Sequence, residues 1–221
     1  MANKEPVKWI TVNGRHIPIY EDGVSIMPRP IIGGSYKSTP EMQNLAMKVA
    51  IKLQKQFPEL LADEFEMHFN KYMSAMGYGF RDRIELDGAG FKKLLKSGED
   101  KECEGLVAHE IIHTIQARLN TAMELKGDER EKNIDRIMDN VIKRYASDKG
   151  VDVASVSKTL AHEYGGGGHS RLGGASDEKM SVAVQSLFIG ESGMAAEVGQ
   201  YVLDELRVEI DKKGIKYRKG N

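Results

Sequence analysis

The sequence predicts a helix-rich α+β protein, with most of the chain in helices around a small sheet and an extended β-hairpin arm in front. Three observations lead there. From residue 39 onward, most segments repeat their apolar residues at helical spacing. Only two stretches, "VKWITVNGRHIPIYEDGVSI" and "YGFRDRIEL", alternate apolar and polar residues as strands do. One apolar helical segment, "LVAHEIIHTIQ" (106–116), carries two histidines four residues apart.

The first alternating stretch turns about Asn13-Gly14, the strongest short hairpin signal. Pro18, Pro28 and Pro30 with Gly33-Gly34 then predict an extended connector. Residues 1–38 are therefore expected to form a docking arm, and residues 39–221 the main domain.

The first helix is expected from "STPEMQNLAMKVAIKLQKQF". Ser38 and Glu41 suit a capping box, Pro40 suits the first turn, and Met42, Leu45, Ala46, Val49, Ala50 and Leu53 share a face. Pro58 breaks this helix and opens a second, in which Leu61, Phe65, Tyr72 and Met76 recur at helical spacing up to Gly77. A half-exposed strand over 79–86 points Phe80, Ile84 and Leu86 one way, and Arg81, Arg83 and Glu85 the other; Gly88 and Gly90 close it. Further helices are predicted at about 101–119, 128–148, 153–162, 177–189 and 193–212. The stretch "EYGGGGHSRLGGA" (163–175) reads as a loop, whose run Gly165–Gly168 suits either a moving lid or a plain connector.

A net charge of −1 gives no broad electrostatic case for binding nucleic acid or an anionic membrane. The lone Cys103 excludes an internal disulfide framework and a cysteine-built zinc cluster. "MANKEPVKWITVNG" has no apolar signal core, and no apolar run is long enough to span a bilayer. The expectation is a protein made in the cytoplasm without an export signal.

The chemistry concentrates in His-Glu-Ile-Ile-His, residues 109–113. Residues four apart on a helix share a face, so His109 and His113 can grip one metal ion, with Zn2+ the natural occupant. Glu110 lies beside the first ligand without occupying a coordination site. There it can take the proton of a water that zinc has acidified to a pKa of about 7. Two histidines satisfied by ordinary hydrogen bonds would be the non-functional alternative. A catalytic zinc also needs a third protein ligand. The short continuation with Gly at 116 and His at 119 is absent, since Gln116 and Leu119 stand there. The candidates lie downstream: His162, Glu163, His169, Asp177 and Glu178. Glu178 is favoured because the first turn of a helix positions a carboxylate more rigidly than a glycine loop positions His169, its main rival. Tyr164 could donate a hydrogen bond to a developing oxyanion, or simply pack.

The His109–His113 helix, the pair Tyr164-Gly165 and a following helix with Glu178 in its first turn together resemble the zincin metallopeptidase domain of the anthrax lethal factor type. The resemblance covers about residues 39 to 210. It implies zinc held by His109, His113 and Glu178, Glu110 as general base, Tyr164 as oxyanion partner, and a protein or peptide substrate paired along the strand 79–86. The chain departs from that family at Val182, where a further acid often stands, and in its long glycine-rich loop. In the arm, "KWITVNGRHIPI" resembles a short segment of phage head-morphogenesis and minor head proteins. That implies a phage-encoded protein, docked by its hairpin on portal, capsid or another head protein. Two functions are thus expected to compete: a zinc metallopeptidase, and a structural virion or head-assembly protein with little or no proteolysis.

Overall fold

The structure, a computed structural model, describes residues 8–12, 15–19, 31–61, 65–163 and 176–215. At the N-terminus β1 (Lys8–Val12) pairs antiparallel with β2 (Arg15–Ile19). Val12 faces Arg15, so two residues join the strands, as a hairpin about Asn13-Gly14 requires. The turn residues themselves lie outside the described residues, as do Pro28 and Pro30. This hairpin forms a sheet of its own.

Strand β3 (Ile31–Gly33), inside the stretch expected to be an arm, joins the main sheet instead. It precedes α1 (Pro40–Gln56), which buries Met42, Ala46, Val49, Ala50 and Leu53 on the expected face. The cap differs from expectation by one residue. Thr39 accepts a hydrogen bond from the Met42 N–H (3.3 Å), while Ser38 accepts one from the Gln43 side chain.

The helix expected after Pro58 is only one turn long, α2 (Pro58–Leu61), and β4 (Glu66–Asn70) follows. The apolar residues there obey period two. Phe65, Met67 and Phe69 are fully buried, while Glu66, His68 and Asn70 between them are half-buried. Tyr72, assigned to the apolar face of a helix, is 98% exposed and has φ 58°. The second alternating stretch also divides, into β5 (Gly77–Gly79) and β6 (Arg83–Asp87). Ile84 and Leu86 are buried between Arg83, Glu85 and Asp87, as expected, but Phe80 lies in the turn and is 39% exposed. The sheet runs β3-β4-β6-β5, parallel except for β5. Among the described strands β3 and β5 are therefore the edges, and β6 is interior. Glycines 88 and 90 do not end the strand in a loop. They open α3 (Gly88–Lys96), where Asp87 accepts from the Ala89 and Gly90 N–H groups.

The remaining five helices fall close to their expected positions: α4 (Asp100–Ala122), α5 (Asp128–Lys149), α6 (Val153–Glu163), α7 (Ser176–Ile189) and α8 (Met194–Lys212). The long α4 is the axis of the core. It touches α1, α3 and α7 as well as β5 and β6, and Val107, Ile111, Ile112, Ile115 and Leu119 along it are fully buried. Burying each of these side chains contributes about 2 kcal/mol before entropy is counted. With both flanks of the helix committed to packing, the face bearing His109 and His113 is held against β5 and α7. Among the described residues no helix is long and apolar enough to cross a membrane.

Candidate metal centre

Three side chains from two helices converge. His109 and His113 project from consecutive turns of α4, and Glu178 projects from the first turn of α7. The His109 Nε2 and His113 Nε2 atoms are 3.2 Å apart. Glu178 Oε2 lies 3.4 Å from the first, and Glu178 Oε1 lies 3.6 Å from the second. Ligand atoms about 2.0–2.1 Å from a tetrahedral zinc are about 3.3–3.4 Å from one another, so the triangle already has the size the ion requires. The three residues form the group able to hold a metal ion among the described residues.

The contacts to Glu178 are longer than the roughly 2.7–2.9 Å of a strong charge-assisted hydrogen bond. Glu178 Oε2 is buried and has no hydrogen-bond partner. An orphaned buried carboxylate oxygen costs on the order of 1–3 kcal/mol, more when charged, unless something positive answers it. Burial pushes the Glu178 carboxyl up, but His109 and His113 outweigh that and hold it well below the usual carboxylate range. For His113, burial favours the neutral ring, yet Glu178 foremost and then Glu110 raise its pKa above the ordinary imidazole value. The pocket is thus built to favour positive charge at its centre.

The outer nitrogens of both rings are held by amides. His109 Nδ1 meets Gln185 Oε1 at 3.0 Å, and His113 Nδ1 meets Gln116 Oε1 at 3.1 Å, with Ser181 Oγ at 3.5 Å. Gln116 Nε2 in turn donates to the Asp177 carbonyl at 2.9 Å. These outer partners were not foreseen from sequence, although spacing could have shown them. Gln116 follows His109 by seven residues and His113 by three, while Gln185 follows Glu178 by seven, so each shares a helix face with a member of the triangle.

Glu110 is 5% exposed and lines the same cleft without joining the triangle. Its position depends on β5 passing close by without side chains. A Cβ at Gly77 would lie 2.5 Å from Glu110 Oε1, and one at Gly79 would lie 2.4 Å from the Glu110 carbonyl oxygen and 2.5 Å from His113 Cβ. The order Gly-Tyr-Gly puts both glycines on the strand face toward α4 and Tyr78 on the other. The cleft of about 1320 Å³ between β5, α4 and α7 contains His109, Glu110, His113 and Glu178 in its lining.

Of the two downstream candidates whose side chains are described, Glu178 is brought to the histidines, while Asp177 contributes its backbone carbonyl to Gln116. Tyr164, His169 and the glycine run fall outside the described residues, as do the side chains of His162 and Glu163. No family model, curated protein or solved structure matches this chain.

Proposed function

We propose that the protein is a zinc-dependent metallopeptidase of the zincin kind. The observation that carries this reading is the 3.2–3.6 Å triangle of His109, His113 and Glu178, closed by a carboxylate oxygen with no other partner. The donor set of two imidazoles and one carboxylate is that of catalytic zinc sites that keep a position open. Bound there, Zn2+ supplies a Lewis acid that polarises a carbonyl and brings a water into its working pKa range.

The protein's own groups do the rest. Glu110, buried against the Gly77 backbone, accepts a proton beside the reacting carbonyl and returns it to the departing amine. An extended peptide lies along β5, the edge strand of the described sheet that lines the cleft. Tyr164 is assigned the oxyanion contact by the resemblance alone.

Purified protein should carry about one zinc per chain, and His113→Ala should lose it. Glu110→Gln should keep the metal and lower peptide cleavage by about 10²–10⁴-fold. Equal cleavage by wild type and Glu110→Gln would remove Glu110 from the mechanism.

One observation favours a second reading. The β1–β2 hairpin pairs with no other described strand, so its edges are free to add to a partner sheet. In that reading the protein is a phage head component, docked on portal or capsid, whose zinc fold serves assembly. Metal binding without cleavage by the wild type would favour it.

A further inference from the structure

We infer that Gln116 is a positioning residue that sets the metal-binding tautomer of His113 and ties it to the helix carrying Glu178. This rests on the metal-centre reading and concerns what prepares the site before any ion arrives.

The Asp177 carbonyl can only accept a hydrogen bond, so the end of the Gln116 amide that meets it at 2.9 Å must be the NH2. That leaves Gln116 Oε1 facing His113 Nδ1 at 3.1 Å, and an amide oxygen can only accept. The proton of neutral His113 therefore sits on Nδ1, and Nε2 presents its lone pair to the centre. Ser181 Oγ, 3.5 Å from the same nitrogen, can donate or accept and leaves the tautomer open. The choice is made by Gln116, which is 4% exposed and cannot exchange its partners for water freely.

The same amide is a strap between two ligands. It grows from α4 three residues after His113 and ends on the backbone of the residue before Glu178. Gln185 contacts His109 Nδ1 from α7, so it orients one ring, whereas Gln116 fixes one ring and the approach of the carboxylate. With His113 Nδ1 engaged by an amide oxygen and His109 Nδ1 meeting the Gln185 amide, the His113 Nε2 lone pair and the Glu178 carboxylate point at one spot beside His109 Nε2. Only a cation or a shared proton satisfies that convergence.

The test begins with metal-free full-length protein at about pH 9, where an ordinary imidazole is neutral. Nitrogen-15 NMR of the histidine rings should show His113 protonated on Nδ1. Gln116→Glu keeps an acceptor facing the ring and should keep that tautomer; Gln116→Leu should lose it. A merely structural role would move both variants alike. Zinc affinity measured against a competing chelator should fall about tenfold in Gln185→Leu and nearer a hundredfold in Gln116→Leu. A wild-type His113 protonated on Nε2 would overturn the inference, as would wild-type zinc affinity in a folded Gln116→Leu. The tautomer is read without metal or substrate, so it stands or falls separately from the proposed peptidase activity.

Discussion

Two helix seams in this protein bury glutamates, and they treat them differently. Between α5 and α8, Glu209 receives both arms of the Arg136 guanidinium, at 2.6 and 3.1 Å, and Glu205 is met by Asn140 and Arg144. Between α4 and α7, Glu178 faces two imidazoles at 3.4 and 3.6 Å, and one of its oxygens has no hydrogen-bond partner. A forked guanidinium carries its own positive charge and satisfies a carboxylate from within the chain. Imidazoles with their outer nitrogens already engaged leave that charge to be supplied. The first seam is complete as folded, and in the function proposed above the second is completed by an ion.

The difference is broken most severely by chelation. Stripping zinc should abolish cleavage and lower the melting temperature, because an ion present at a thousandfold over its dissociation constant contributes about 4 kcal/mol. Calorimetry with and without chelator checks this, and an unchanged melting point would mean the α4–α7 seam is already satisfied. Next in size is Gly77→Ala, whose Cβ would crowd the Glu110 carboxylate at 2.5 Å. Cleavage should fall by about 10²-fold through kcat while zinc content stays at one per chain. Undiminished kcat would show that Glu110 does not need the bare strand beside it.

At the other seam, Arg136→Met should cost about 1–3 kcal/mol in chemical denaturation and leave zinc affinity untouched. The figure is below that for a fully buried pair because the Arg136 side chain is 44% exposed. Loss of zinc binding in this variant would show that the seams are not independent. The smallest effect expected is on the acid side. The hydrogen bonds from Arg136 hold the Glu209 carboxyl below its usual range. Its contribution is therefore fully present above the ordinary glutamate value of about 4.3 and is lost as pH falls through the lower folded value. In metal-free protein, Glu209→Gln should flatten that part of the stability–pH curve; parallel curves would assign the acid loss elsewhere.

The two seams were also unequally legible in the sequence. The convergence of His109, His113 and Glu178 could be read because each member carries a local signature: two histidines four apart, and an acid in the first turn of a helix. Five long helices were legible for the same reason, since their period repeats over several turns. Strand β4 was misread because Phe65, Tyr72 and Met76 happen to match helical spacing. The shorter alternation of Phe65, Met67 and Phe69 is decided by pairing with β3 and β6, which are distant in the chain. Helix α3 was missed because Gly88 and Gly90 signal a turn, whereas Asp87 caps them into a helix. Gln116 shares a face of α4 with His113, but its tie to Asp177, like the Gln185 contact with His109, forms only when α4 and α7 meet. The Arg136–Glu209 pair, seventy-three residues apart, left no local trace at all.

The most direct test is the metal itself. A crystal grown from zinc-replete protein, with diffraction recorded on either side of the zinc edge, should show one anomalous peak within about 2.0–2.2 Å of His109 Nε2, His113 Nε2 and a Glu178 oxygen. No peak among these three side chains, or a zinc held without Glu178, would contradict the account.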